Sequence, residues 1–119
     1  MHTLTLYGQP MGKPRQTRSD RWKQRACVVR YRLWADELRL AAKRTTKIRL
    51  TEPTRLDVIA YFENGTKHRA GPHTVKPDAS NVLKGIEDAL FENDQMLYHS
   101  SLTKFWADGG QARVVIEWG

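Results

Sequence analysis

One cysteine in 119 residues, Cys27, leaves the chain without the means to close an internal disulfide. That scarcity fits a reducing cytoplasm better than an oxidising compartment. Cys27 has no catalytic setting around it in sequence and is read as structural. No stretch approaches the roughly 18 consecutive apolar residues that a membrane helix needs. The first ten residues have no basic start followed by a long apolar run, so no secretion signal is expected. Internal repeats and low-complexity tracts are absent as well. Acid is scarce where base is abundant: residues 12–55 hold 14 of the 20 Lys and Arg against four acids, Asp20, Asp36, Glu37 and Glu52.

What is present is charge, unevenly spread. The net charge is +7 and the pI about 9.9, which points to nucleic acid or an anionic membrane as partner, the latter disfavoured by the lack of a long apolar run. Against this background, residues 78–94 gather five of the 13 acids (Asp78, Glu87, Asp88, Glu92, Asp94), with Lys84 the one base among them. A length of 119 residues suits one domain, 1–119, with a modest core, for which dimerisation is a reasonable expectation.

Hydrophobic periodicity divides the chain into six elements. Thr3 to Tyr7 alternates as a strand, and the loop from Gly8 to Arg25 is kept irregular by Pro10, Gly12 and Pro14. From about Cys27 to Thr45, Tyr31, Trp34, Leu38 and Ala41/Ala42 recur at helical spacing. Leu56, Val58, Ala60 and Phe62 alternate as a second strand, and Lys67 to His73 reads as a mobile surface loop. A second helix follows Pro77. Strands over roughly Gln95–Trp106 and Gln111–Trp118 close the chain, with Asp108-Gly109-Gly110 read as a hairpin turn between them. Ala112, Val114, Ile116 and Trp118 would share one face. The fold class is α+β, with two helices packed on a small mixed sheet of about four strands in the order β-α-β-α-β-β.

On the second helix, an advance of about 100° per residue puts Val82, Leu83, Ile86, Ala89 and Leu90 on one arc. Asp78, Asn81, Lys84 and Asp88 fall on the opposite arc, and Asp94 lies just past the end. Two readings of this polar face stand side by side. In one it is a solvated face, with Asp78 or Ser80 as the helix cap and Lys84 as the i+4 partner of Asp88. In the other its carboxylates hold Mg²⁺ or Mn²⁺, hard cations that prefer oxygen ligands, and Lys84 neutralises charge on a reacting phosphate.

The run Lys76-Pro77-Asp78-Ala79-Ser80-Asn81-Val82-Leu83-Lys84-Gly85-Ile86-Glu87-Asp88-Ala89-Leu90, followed by Asn93-Asp94-Gln95, resembles the signature of RusA-like Holliday-junction resolvases. That signature runs roughly Pro-Asp-x-Asp-Asn-x-x-Lys-x-x-x-Asp-Ala-Leu, then Asp-Asp-x-Gln. The front segment, Gly12-Lys13-Pro14-Arg15 through Trp22-Lys23 to Val29-Arg30-Tyr31-Arg32, is similar to bacteriophage and prophage members. The resemblance implies a homodimeric, Mg²⁺- or Mn²⁺-dependent endonuclease that places paired nicks in four-way DNA junctions during recombination, repair or phage DNA processing, in the cytoplasm of a bacterial or phage-infected cell. It implies catalytic roles for Asp78, Lys84 and Asp94. Asp78 and Asp94 would be metal ligands, Ser80 and Asp88 further members of the metal site, and Asn81 a supporting residue.

Two positions depart from the signature. Ser80 stands where many members carry a second aspartate, and Asn93 where the later pair begins with Asp. Lys13, Arg15, Arg18, Arg21, Lys23, Arg25, Lys67, Arg69 and Lys76 are the candidates for contact with DNA phosphates. Trp22 would anchor its loop or stack on a base. His73 could stand as a general base, while His2, His68 and His99 read as ordinary surface residues. Two other functions fit the same residues: a degenerate resolvase that binds branched DNA without cutting, and a metal-dependent nuclease acting on other DNA or RNA structures.

Overall fold

The computed structural model describes residues 1–14, 25–65, 67 and 69–119. Its elements run β1 (His2–Tyr7), α1 (Ala26–Ala41), β2 (Thr54–Phe62), α2 (Ala79–Leu90), β3 (Leu97–Trp106) and β4 (Arg113–Trp118), with one 3₁₀ turn at Asp94–Met96 ahead of β3. The expected α+β class and element order are therefore observed: two helices and a four-stranded mixed sheet.

Strand β2 organises the sheet. Side chains alternate across a strand, and Thr54, Leu56, Val58, Ala60 and Phe62 all point to the buried side. The strand order is β1-β4-β2-β3, antiparallel except for the parallel pair of β2 and β3. This corrects the expected hairpin. The chain does turn at Asp108-Gly109-Gly110, where Gly109 has φ +71°, but β3 and β4 lie on opposite sides of β2. Residues 107–112 step over the intervening strand, a span of two strand spacings of about 4.8 Å each. Turn residues encode the reversal and carry no information about what lies between the two strands.

Both helices cover one face of the sheet. Helix α1 buries Val28, Tyr31, Trp34, Ala35 and Leu38. It stops at Ala41, short of the expected Thr45, because Lys43 takes a left-handed conformation (φ 58°). There the Lys43 and Arg44 N–H groups donate to the Leu40 and Arg39 carbonyls at 2.8 and 2.9 Å, satisfying acceptors at the helix end. Helix α2 buries Val82, Gly85, Ile86, Ala89 and Leu90, the apolar arc expected from its spacing. With Leu38, Leu56, Phe62 and Ile116 these residues form the core, where each large aliphatic or aromatic side chain contributes about 1.5–3 kcal/mol.

The segment after β1 crosses the start of α2 at close range. A Cβ on Gly12 would lie 2.8 Å from the Pro77 Cβ, and one on Gly85 would lie 3.1 Å from the Tyr31 ring and 3.4 Å from the Lys13 nitrogen. The absence of side chains at both positions lets the Lys13 N–H reach the Asn81 carbonyl at 3.2 Å. Replacing Gly12 by alanine drives a methyl into a rigid proline ring, and overpacking of this kind costs about 1–3 kcal/mol. Gly12→Ala is expected to lower the thermal melting midpoint by several degrees, and a midpoint equal to that of the wild type would show that this segment is not seated on α2.

Candidate functional site

Helix α2 begins behind Asp78, whose backbone is extended (φ −64°, ψ 149°) and whose side chain makes no capping bond. Among the described residues the exposed Asp78 carboxylate and Ser80 hydroxyl have neither a hydrogen bond nor an ion pair. Asp78 thus occupies the N-cap position expected for it, but neither its side chain nor that of Ser80 makes a capping bond. The turn that delivers Asp78 is tied from the sheet. Lys104 on β3 donates from Nζ to the Val75 carbonyl at 2.9 Å and to the Pro77 carbonyl at 2.7 Å. Lys104 is paired with Ala60 across the sheet and so sits on the helix-facing side of an edge strand. This residue was missed in sequence, although its signal is strand parity: Leu102, Lys104 and Trp106 alternate with Thr103 and Phe105, putting a charge on the inward face.

Further along α2, four charged side chains form a chain of contacts. Lys84 Nζ lies 3.3 Å from Asp88 and 3.2 Å from Asp94, and Lys13 from the crossing segment binds the same Asp88 through its own Nζ. The i+4 pair of Lys84 and Asp88 is thus present, and the Asp94 contact joins the 3₁₀ turn to the helix. Burial tends to raise the Asp88 carboxyl, but the Lys13 and Lys84 ammoniums outweigh it and hold the group below the usual carboxylate range. Asp94 and Asp88 in turn hold the Lys84 ammonium above the usual lysine range. Lys84 is therefore a fixed positive charge at neutral pH. Beneath it the Tyr31 hydroxyl donates to the Gly85 carbonyl at 2.7 Å, and burial pushes its pKa up to about 12.

Asn93, the departure beside Asp94, has a structural reason. Its buried amide accepts from the Leu50 N–H at 2.8 Å and donates to the Leu50 carbonyl at 2.8 Å. Only a side chain with both a donor and an acceptor can satisfy both groups, and a carboxylate cannot. Asn93 thereby anchors the turn that presents Asp94.

The basic candidates take two neighbouring positions. Lys13 and Lys76 line a hollow with Asp78, Asn81, Arg30 and Cys27. Lys67, Arg69 and Lys76 line the next hollow, with Gln9 and Lys76 common to both. Arg25 precedes α1 and is exposed. Arg15, Arg18, Arg21, Lys23, Trp22 and His68 lie outside the described residues. The second loop lies at the surface, as expected, at Lys67, Ala70, Gly71 and Pro72, and its end is held to the sheet. Gly71 and His73 are pinned to β3 by the Trp106 N–H to Gly71 carbonyl bond (2.9 Å) and the His73 N–H to Lys104 carbonyl bond (3.1 Å). The His73 ring is buried between Phe62 and Trp106, with centroids 3.9 and 4.4 Å away. Burial, then the Lys104 and Arg69 charges, depress its pKa, so the imidazole is neutral and packed in the manner of a core ring.

Among the described residues no three His, Cys, Asp or Glu side chains are gathered closely enough to cage a metal. Asp88 is engaged by two lysines. Asp78 and Asp94 remain, one unpaired and one sharing Lys84, with Ser80 two positions after Asp78. Carboxylate and hydroxyl oxygens are the hard donors that Mg²⁺ takes, commonly one or two carboxylates with water and substrate phosphate filling its shell, and among the described residues no contact joins Asp78 to Asp94. The anchoring of the 3₁₀ turn can be checked by Asn93→Asp, which removes the donor and turns a carboxylate toward the Leu50 carbonyl. The expected cost is about 1–3 kcal/mol, read by urea denaturation, and an unchanged midpoint would detach Asn93 from this role.

Among the described residues no helix is long and apolar enough to cross a membrane. No curated protein sequence matches the chain closely enough to serve as a relative. The family model described as endodeoxyribonuclease RusA matches residues 7–117. That span takes in the crossing segment with Lys13, the whole of α2 and the turn bearing Asp94, and on it the chain belongs to the RusA family of endodeoxyribonucleases.

Proposed function

We propose that residues 1–119 act as a single RusA-like domain, a Mg²⁺-dependent endonuclease (Mn²⁺ serving in its place) that resolves four-way junction DNA as a homodimer, one nick per subunit. The observation that carries this reading is the unpaired Asp78 carboxylate beside a basic rim, on the same helix as a lysine joined to Asp94. Asp78 and Asp94 would hold the metal, with Ser80 contributing a neutral oxygen. When bound, Mg²⁺ would polarise a phosphodiester oxygen and lower the pKa of a coordinated water.

The chain's own residues account for the remaining requirements. Lys13, Lys76, Lys67 and Arg69, which line the hollows around Asp78, would meet phosphates on the approach to it. Lys84 carries a permanent charge that can offset charge gathering on the reacting phosphate. Asp88 positions Lys84 and is itself kept neutralised by Lys13. Lys104 fixes the turn ahead of Asp78 through two carbonyls. In this reading the protein works in the cytoplasm of a bacterial or phage-infected cell, in recombination, repair or phage DNA processing.

Asp78→Asn is expected to abolish nicking of a synthetic mobile junction in Mg²⁺ while leaving junction affinity within about threefold, since a metal ligand is lost but the basic rim is kept. Full cleavage by this variant would sink the metal assignment. Flap, linear duplex and RNA controls in the same gel separate junction resolution from a broader nuclease activity.

The competing reading, a branched-DNA-binding protein that does not cut, draws its support from Ser80. Ser80 is exposed and unbonded, so an aspartate fits there without loss of packing. Ser80→Asp should lower the Mg²⁺ concentration needed for half-maximal cleavage. If wild type is inert and Ser80→Asp cuts, the binding-only reading holds for the natural chain.

A further inference from the structure

A third hollow lies between α1 and α2, beyond Lys13, and Lys13 lines both it and the Asp78 hollow. Its charged wall is Lys13, Arg32, Asp36, Arg39, Lys47 and Asp88. Both acids are already engaged, Asp36 by Arg39 and Asp88 by Lys13 and Lys84. Arg39 also donates to the Ala89 carbonyl at 2.9 Å, and the Tyr31 hydroxyl that borders the hollow is committed to Gly85. Arg32 and Lys47 are left over. Both are exposed, and among the described residues neither makes a hydrogen bond or an ion pair. A hollow whose acids are neutralised and whose unengaged groups are two cations presents a site for an anion.

The position of the hollow identifies that anion. The three hollows form a continuous series: the hollow of Lys67 and Arg69 meets the Asp78 hollow at Gln9 and Lys76, and the Asp78 hollow meets this one at Lys13. Asp78 lines the middle one, together with the exposed and unpaired Arg30. A polyanion lying along the series would have Lys67 and Arg69 on one side of Asp78 and Arg32 and Lys47 on the other. We propose that the hollow between α1 and α2 holds backbone phosphates of the cleaved DNA strand, on the far side of the cut from Lys67 and Arg69, with Arg30, Arg32 and Lys47 as contacts. This rests on the nuclease reading above and adds the direction in which the strand crosses α2.

The test uses the full chain and a fluorescein-labelled four-way junction in EDTA, with affinity measured by anisotropy between 50 and 200 mM NaCl. The double variant Arg32→Gln/Lys47→Gln is compared with Lys43→Asn/Arg44→Gln, which removes the same charge just past the end of α1 and outside all three hollows (asparagine tolerating the left-handed backbone at position 43). Losing two phosphate contacts per subunit, four in the homodimer, should weaken binding about tenfold or more and make the log–log salt slope shallower by about 3.6. The control should change affinity less than about twofold. The charge-preserving Arg32→Lys/Lys47→Arg should bind like wild type, which separates lost contacts from lost folding.

Equal weakening by both double variants would reduce the effect to net charge and overturn the assignment, as would wild-type binding by Arg32→Gln/Lys47→Gln. Inorganic phosphate added alone, followed by NMR, distinguishes a free-anion site. Shifts at this hollow that vanish in the double variant, with junction affinity unaltered, would also overturn it. A wild-type protein that binds the junction but never nicks it in Mg²⁺ would defeat the cleavage reading and leave the strand path standing.

Discussion

The contact chain Lys13–Asp88–Lys84–Asp94 is the interaction on which the rest of the site depends, because it joins three separate pieces of the chain. Lys13 comes from the segment after β1, Asp88 and Lys84 from α2, and Asp94 from the turn before β3. Without Asp88, two ammoniums would face each other across one helix turn. Without Lys84, Asp94 would lose its link to the helix. The two glycines that let the front segment lie against α2, the Asn93 amide that anchors the turn and the Lys104 tether behind Asp78 all hold these pieces in place. Removing one partner from such a coupled set leaves the other uncompensated, so the contributions are not separable pair by pair.

Much of the fold was legible in sequence because its elements bury one face each. Alternation marked β2, and the spacing of Val82, Ile86, Ala89 and Leu90 marked the side of α2 that packs inward. The sheet order was not legible. Asp108-Gly109-Gly110 announces a reversal in any topology, and the placement of β2 between β3 and β4 follows from its row of buried residues competing for the centre of the sheet. The end of α1 is not legible for a different reason. Lys43 is not a residue whose side chain advertises a left-handed backbone, so the capping turn leaves no trace in composition.

The site divides along the same line. Asp78, Asn81, Lys84 and Asp88 were legible as one helical arc because they are close in sequence. The contact from Lys13 spans 75 positions and could not be read from spacing, so Lys13 looked like one more base in a basic loop. Asn93 looked like a lost acid, whereas its two bonds to Leu50 require an amide. The two departures from the family signature are therefore unlike in kind. At Asn93 the surrounding backbone dictates the residue, while at Ser80 the exposed and unbonded hydroxyl shows no packing demand that excludes aspartate.

Charge balance gives this difference a consequence. On the proposed reading Asp78 shares a centre with the contact chain, and Asp78, Asp88 and Asp94 then stand against Lys13 and Lys84, an excess of one negative charge before the flanking Arg30 and Lys76 are counted, within a protein of net charge +7. Two of the carboxylates are offset by lysines and Asp78 alone is not. A divalent cation held there would reverse the balance to one positive charge, which a single phosphodiester would then neutralise. An aspartate at Ser80 would shift the same centre to two negative charges, strengthening the attraction for a divalent cation while leaving the occupied site neutral and less attractive to the phosphate. On the proposed reading, serine at position 80 trades metal affinity for substrate attraction. On that reading the basic hollows on either side would supply the field that brings the DNA to it.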